Sequence, residues 1–521
     1  MELSVVLLGV FIRLVGVLLA PYFWMRGRRP ARKVTPPAGL LLRSVTDLAA
    51  GIRDGELSSE RVVSAFISRV RDVNPLLNAV VEERFQEAVA DARAADRLIE
   101  EARASGTIKE LFKAKPLLGV PFTVKESLSL AGMSNAVGYR EFAGRRAACD
   151  GVAVGRLRAA GAVPLLVSCT PELCLGWETS SVLSGVTNNP HCTLRTPGGS
   201  SGGEAALVSS GASAFGAGSD IAGSLRVPPA FCGIFGHKAT SGSISITHHM
   251  PCAGDPLYAQ FLSLGPIARY ASDLPLLLGI MAGDKRPLLR LDEPVDLATL
   301  KVLYMTEAGY SVALPDVDAG IKRKIRAAVA YLQRECGAAV SEEKFPEFID
   351  SVEISISSFF SMKDIPNILQ DPVNPKRTKS LLVEFIKCLF GGSDHTLQAL
   401  GFSFIDKTKL FIPKSKMPYY SAKGRQLKEK MMRILGDNGV LLYPVFTGVA
   451  HYHNEIFTKT AGVAYTMLFN IMGMPSTAVP MGFHNGLPVG IQVIAAPNQD
   501  RLCLAVAKQL EIGFGGWQPP Q

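Results

Sequence analysis

The stretch RTPGGSSGGEAALVSSG, which begins at Arg195, sets two serines between two pairs of glycines. Read from Gly198 it spells G-x-S-x-G, the pattern that puts a nucleophilic serine on a sharp strand-to-helix turn in α/β-hydrolases. That use needs an apolar strand running directly into the serine. What precedes Ser200 is NNPHCTLRTPGG, which is polar and broken by proline. The elbow reading therefore lacks its context, although the eight histidines leave a histidine partner open.

A second small-residue cluster, GAGSDIAGSLRVPPAFCGIFGHKAT, places Ser224 24 positions after Ser200. Small residues let backbone N–H groups approach a substrate oxygen, as an oxyanion hole requires. Either stretch alone has the composition of an ordinary turn; the set becomes more specific with the lysine that closes the apolar run GVPFTVK. A lysine at a strand end can simply reach water. Kept from water, it loses its charge more readily, because burial disfavours the ammonium form. Neutral Lys125 is then a competent general base for a serine, with no histidine required, provided the regions meet in space.

The elements that would position these residues follow from apolar periodicity. From Ser44, SVTDLAAGIRDGELSSERVVSAFISRVRDVNPLLNAVVEERFQEAVADARAADRLIEE repeats apolar residues every three or four positions and predicts helices. Ser58 or Ser59 predicts an N-cap, and Asn74-Pro75 a break. PLLGVPFTVKES and AAGAVPLLVSCT are short continuous apolar runs suited to buried strands, and GRLRA before the second suits a helix end. GVLLYPVF, MPSTAVPMGF, GLPVGIQVIAA and a last helix, DRLCLAVAKQLEIGF, continue the alternation. Strand and helix in alternation predict a layered α/β domain over residues 44–521. Within it, FIDSVEISISSFF and KSLLVEFIKCLFGGSDHTLQALGF (379–402) read as an apolar insertion, either a core helix pair or a membrane-touching cap over a lipid entrance.

Of the 521 residues 47% are apolar and 19% charged, which predicts a sizeable core and little disorder. The net charge of +9 is uneven: Arg26, Arg28, Arg29, Arg32 and Lys33 crowd beside an apolar segment, favouring a membrane surface over nucleic acid. Nine scattered cysteines without C-x-x-C read as free thiols, mostly buried, and no Asn-x-Ser/Thr sequon occurs, which points to the cytosol.

The segment LSVVLLGVFIRLVGVLLAPYFWM is apolar from Leu3 to Met25 except at Arg13. About 20 such residues suffice to span a bilayer, and Tyr22, Phe23 and Trp24 resemble an interfacial anchor. Residues 1–25 are therefore expected to be a single-pass transmembrane anchor and 26–43 a basic, proline-rich linker. Basic residues on its C-terminal side predict a cytosolic body, on an endomembrane or a lipid-droplet surface. Two alternatives remain. A cleaved signal peptide lacks a basic leading region and would have to cut before Pro21. A helix lying in the interface would spare Arg13 the roughly 2.5–3.5 kcal/mol cost of a helix-centre charge.

Lys125, PGGSSGGEAAL and GSDIAGSLRVP resemble the amidase signature family, and the likeness extends over most of the chain after Ser44. It includes LLGVPFTVKES, GVTNNP and FNIMGMPSTAVPMGFHNGLPVGIQVIA, with Lys125 to Ser200 spanning 75 residues and Ser200 to Ser224 spanning 24. The resemblance implies a mixed central sheet flanked by helices, with Ser224 as nucleophile, Ser200 as bridging serine and Lys125 as base. It implies an oxyanion site at the N–H groups of Ile221, Ala222, Gly223 and Ser224, and a cis peptide between Gly199 and Ser200. Ser201, Asp220 and Arg226 are expected to support that loop. No metal, organic cofactor or nucleic acid is implied, and a homodimer is.

The anchor and the apolar insertion favour a long-chain lipid amide, such as oleamide or an N-acylethanolamine, cleaved to fatty acid and amine through an acyl-serine. Small or aromatic amides or esters, and a non-catalytic lipid binder, are the competing readings. The last arises from Ala222, where the family usually has glycine: if that position needs a positive φ, alanine is strained there.

Overall fold

The apolar runs PFTVK and VPLLVS lie side by side near one end of a mixed sheet. In the computed structural model all residues are described except Met1, Lys33, Pro366, Pro372, Val373, Pro375, Lys409, Leu410, Phe411 and Gln521. Lys33 of the basic cluster thus lies outside the described residues. In chain order the strands are β1 (Val80–Glu83), β2 (Pro121–Lys125), β3 (Val163–Ser168), a short ribbon of β4 (Ser180–Ser181) and β5 (Gly185–Val186), β6 (Phe215–Asp220), β7 (Phe235–Lys238) and β8 (Ser263–Ala268). They continue as β9 (Lys301–Tyr304), β10 (Ala339–Glu342), β11 (Gly439–Pro444), β12 (Ser476–His484) and β13 (Leu487–Ala495). Apart from the ribbon they form one eleven-stranded sheet among the described residues, ordered β1-β3-β2-β6-β8-β7-β12-β13-β11-β9-β10.

β2 runs parallel to both β3 and β6, and all three are buried along their whole length. Strands covered on both faces carry continuous rather than alternating apolar residues, which is why their sequences read so plainly. Thr123 pairs with Gly216 and Val124 with Ala217. This register brings the carboxyl ends of β2 and β6 level, so Lys125 and Ser219 emerge at the same edge. Carboxyl ends of parallel strands are where open α/β sheets build ligand crevices.

Helices flank the sheet where the periodicity predicts them, with Ser58 capping Ser59–Leu77 through a bond from Arg61 N–H at 3.2 Å. Two expectations need correction. The helix runs through Pro75 to Leu77 and stops at Asn78, which is left-handed. The stop comes from the Asn74 carboxamide, whose Oδ1 accepts from the Ala79 and Val80 N–H groups at 2.8 and 3.2 Å. Immediately afterwards AVVEE, read as helix, becomes edge strand β1, antiparallel to β3. Pairing with an available sheet edge overrides the helical spacing there.

The insertion contributes helices Ser351–Phe359, Leu381–Leu389 and Leu397–Thr408. The first is largely buried. Leu381–Leu389 packs Leu381, Phe385 and Cys388 against the buried Ala399 and Leu400 of the next helix, while Leu382, Leu389 and the following Phe390 are exposed.

The N-terminal helix is Leu3–Gly27, long and apolar enough by length and composition to cross a membrane. It lies lengthwise on the body. Tyr420 OH donates to Glu2 Oε1 at 2.9 Å near its start, and Arg26 donates to His453 O at 2.9 Å near its end. Between them Arg13 donates to the carbonyls of Val312, Ser311 and Leu314 at 3.1, 3.3 and 3.0 Å. Gly9 allows this approach, because a Cβ there would sit 2.6 Å from Val312 O. The segment after it is also held: Arg32 N–H donates to Thr193 Oγ1 at 3.1 Å, and residues Gly39–Leu42 form a 3₁₀ turn.

Candidate active site

Lys125, Ser200 and Ser224 come from three parts of the sequence and meet at the edge formed by β2 and β6. Lys125 closes β2 and is fully buried. Lys125 Nζ lies 2.7 Å from Ser200 Oγ, which lies 2.8 Å from Ser224 Oγ. The Ser200 N–H donates to Ser224 Oγ as well, at 2.9 Å. Ser200 stands two residues before helix Gly202–Ser209, no strand among the described residues leads into it, and the Gly199–Ser200 peptide is cis. Burial pushes the Lys125 amine below its ordinary value, against the upward pull of Cys174, Asp220 and Glu204. The three side chains thus form a continuous hydrogen-bonded path from a poorly solvated amine to a hydroxyl.

Ser224 sits in the loop between β6 and helix Val227–Cys232, behind Ile221, Ala222 and Gly223. The positive φ of this loop, +113°, belongs to Gly223. Ala222 is not in the left-handed region, so the strain anticipated for alanine does not arise. The loop is held from outside: Trp177 Nε1 and Thr466 Oγ1 donate to Ala222 O at 3.3 and 3.1 Å. Of the four expected oxyanion donors, Gly223 N–H is already engaged, donating to Asp220 Oδ1 at 2.6 Å.

Asp220 and Arg226 form a fully buried pair that grips this loop, Nε to Oδ2 and Nη2 to Oδ1 each at 3.0 Å. Asp220 also accepts from Leu225 N–H at 2.9 Å and Asn470 Nδ2 at 2.9 Å. Burial alone would raise its carboxyl, but the Arg226 guanidinium and these donors hold it down at about 2. Ser201, buried, donates to Ser219 O at 3.3 Å, tying the two glycine–serine loops together. Every site residue expected from the sequence is therefore drawn into one constellation.

Others were not anticipated. Thr170 Oγ1 donates to Ser200 O at 3.0 Å, and Thr179 Oγ1 to Gly198 O at 2.8 Å. Thr123, two residues before Lys125 on the same face of β2, donates to Glu204 Oε2 at 2.7 Å, and burial pushes that carboxyl up to about 7. His249 and Ser219 adjoin Lys125. Ser219 was within reach of the sequence, since it ends the small-residue run beside Asp220; His249 stands in a loop without a pattern.

Ser200 and Ser219 line a cleft with about 480 Å³ of unfilled space, its open solvent included. Its walls are mostly apolar: Leu173, Leu175, Ile221, Leu262, Phe359 and Met362. Phe359 and Met362 belong to the insertion, so that segment helps to build the site.

The chain is similar to known proteins over most of its length. A family model described as Amidase matches residues 61–504. Fatty-acid amide hydrolase 2-B of Danio rerio is 38% identical, over 99% of this chain and 97% of its own. Fatty-acid amide hydrolase 2 of Homo sapiens is 37% identical, over 98% and 96%. Among solved structures, a fatty acid amide hydrolase superposes with a TM-score of 0.74 at 23% identity, covering 91% of this chain and 86% of that one. A 6-aminohexanoate cyclic dimer hydrolase gives 0.73 at 24%, covering 93% and 99%. At those identities the structural matches speak for the fold, while the matched span and the full-length relatives speak for descent: the chain belongs to the amidase family, serine hydrolases that act on carbon–nitrogen bonds.

Proposed function

We propose that the chain hydrolyses fatty-acid amides at a membrane surface, with Ser224 as nucleophile, Ser200 as proton bridge and Lys125 as base. The observation that carries this reading is the path Lys125–Ser200–Ser224, with contacts of 2.7 and 2.8 Å, whose middle member Ser200 lines a mostly apolar cleft. Neutral Lys125 takes the Ser200 proton while Ser200 takes that of Ser224, and Ser224 Oγ bonds to the amide carbonyl carbon. The oxyanion that forms is received by N–H groups of Ile221, Ala222 and Ser224, each such donor being worth roughly 2.7–4 kcal/mol. Gly223 N–H joins them only by leaving Asp220. As the carbon–nitrogen bond breaks, Ser200 gives its proton to the departing amine and is reprotonated by Lys125. Water, deprotonated along the same path, attacks the acyl carbonyl, and the proton returns to Ser224 Oγ as the acid leaves.

The apolar cleft walls suit an acyl chain, and the names of the full-length relatives favour the same substrate class. Oleamide and an N-acylethanolamine are the substrates to try first. Release of free fatty acid by wild type, lost in Lys125→Ala and Ser224→Ala, is the expected result. Turnover of acetanilide in preference to both lipids would replace the lipid reading with an aryl-amide one.

For attachment, the docked helix favours lying in the membrane interface over spanning the bilayer. A helix that crossed the hydrocarbon while packed on Ser311, Val312, Tyr420 and His453 would carry those parts of the body in with it. Arg13 is paired with three backbone carbonyls of the body, whereas Leu7, Phe11, Leu14, Leu18 and Trp24 are exposed, as are Arg28, Arg29 and Arg32. Such a helix binds anionic bilayers by burying its apolar face and by charge attraction. Membranes carrying the protein are expected to leave both ends of the helix open to protease on one side; protection of Met1 alone would mark a spanning helix.

A further inference from the structure

His249 takes no part in the relay proposed above, yet its hydrogen bonds reach Lys125 through a single hydroxyl. Lys125 Nζ lies 3.0 Å from Ser219 Oγ and 3.4 Å from Ser219 O. Ser219 Oγ lies 2.9 Å from His249 Nε2, and His249 Nδ1 lies 3.0 Å from Pro251 O. A carbonyl oxygen can only accept, so Nδ1 carries the imidazole proton and donates to Pro251 O. Tyr258 leaves this unchanged: its hydroxyl, 3.2 Å from Nδ1, donates to the same Pro251 carbonyl. Nε2 is then a bare acceptor, and the nearest donor to fill it is the Ser219 hydroxyl. Toward Lys125, Ser219 Oγ is therefore an acceptor. Ser127 Oγ, 3.3 Å from Ser219 Oγ, can donate to it without altering this order.

The consequence falls on the lone pair of the lysine. A neutral amine has two N–H donors and one lone pair. Both of its Ser219 partners, hydroxyl oxygen and carbonyl, can only accept from it, which occupies the two donors. The remaining neighbour is Ser200 Oγ at 2.7 Å, so the lone pair faces the proton that must be removed.

We propose that His249 is a positioning residue, which fixes the direction of the Lys125–Ser219 hydrogen bond and so aims the Lys125 lone pair at Ser200. The proposal rests on the reading of Lys125 as the base. His249 can hold this role across the working pH range, because burial first, and then the charge of Lys125, press its imidazole down to about 3. Without its Nε2, the Ser219 hydroxyl is free to turn its proton onto Lys125 and occupy the lone pair.

The test is the rate at which a fluorophosphonate labels Ser224 in the full-length protein, measured against pH, so that it does not depend on knowing the substrate. His249→Leu should label about 10- to 100-fold more slowly. Its acid limb should move to lower pH, since Ser219 becomes a poorer acceptor for the ammonium form and a donor to the neutral one. Cys174, Asp220 and Glu204, the other titratable groups that act on Lys125, are untouched by the substitution. His249→Gln, whose amide oxygen can replace the Nε2 acceptor, should return the rate to within about fivefold of wild type and restore the limb. A merely structural role would slow labelling without moving the limb and without rescue by glutamine. If His249→Leu fails to fold, Ser219→Ala carries the test: with the hydroxyl acceptor gone the lone pair is no longer aimed and the ammonium form loses a partner, so labelling should slow and the limb move the same way. Wild-type rates and limb in His249→Leu or in Ser219→Ala, with Lys125→Ala unlabelled, overturn the proposal and leave the base assignment standing. Normal labelling of Lys125→Ala overturns both.

Discussion

Arg226 meets Asp220 edge to edge, with Nε and Nη2 each 3.0 Å from a separate carboxylate oxygen and neither side chain exposed. The pair lies directly under the Ser224 loop, and Asp220 reaches that loop through Gly223 and Leu225 N–H. Removing one partner of such a pair leaves the other as an uncompensated buried charge. Asp220→Asn should therefore cost about 3–5 kcal/mol of stability and lower the melting temperature by several degrees. The same carboxylate gives an acid dependence with a defined sign. Its folded value of about 2 lies below the roughly 3.9 of an unfolded aspartate. Its stabilisation is thus complete above about pH 4 and is lost as pH falls toward 2. Melting temperatures of wild type and Asp220→Asn should converge as the pH drops through that range.

Ala222→Gly should not improve the enzyme. The left-handed residue of the loop is Gly223, and Ala222 is buried with its carbonyl held by Trp177 and Thr466. Glycine relieves no strain here and adds freedom to the unfolded chain, at a cost of about 0.5–1 kcal/mol. Rate measurements on the variant should show kcat no higher than wild type. A several-fold rise would mean that the methyl group obstructs the oxyanion.

What the sequence made legible follows from how each part is built. β2 and β3 are covered on both faces, so their apolar runs stand out against any neighbour. The two glycine–serine loops are legible because close packing excludes side chains: a Cβ on Gly218 would lie 2.8 Å from Leu225, and one on Gly223 would run into Thr466. Trp177, Thr466, Asn470 and His249 act as single residues from remote loops and helices, and a lone contact leaves no period or spacing to read. The helix through Pro75 and the strand Val80–Glu83 were misread for a related reason: the Asn74 carboxamide and the open edge of β3 decide them, and both are tertiary facts.

Lys125 should be a liability to the fold as well as a candidate base. Burial lowers its amine below the unfolded value of about 10.4, so the unfolded chain binds a proton that the folded one resists. Stability from this group accordingly rises with pH through that window and is complete only above it. Lys125→Met, close in volume, removes the penalty. The variant should be inactive yet melt roughly 1–3 °C higher near pH 7, with the gain fading as pH approaches 10. A variant that melts lower at every pH would show that the bonds to Ser200 and Ser219 outweigh the desolvation.

Chain length should be read by the insertion side of the cleft. Phe359, Met362, Leu262 and Ile221 line the cleft together with Ser200, and Ile365, half-buried where Phe359 and Met362 are buried, lines its more exposed part. Filling that part should hinder long acyl chains and spare short ones, because only the long chain reaches it. Ile365→Trp adds bulk where the wall is partly open to solvent, so little core strain is introduced. Each methylene kept out of the cleft forfeits about 0.8 kcal/mol. With two or three methylenes displaced, kcat/KM for an eighteen-carbon amide should fall by roughly 10- to 50-fold, while that for an eight-carbon amide stays within about twofold. An equal loss on both would place the acyl chain elsewhere and remove the insertion from the substrate site.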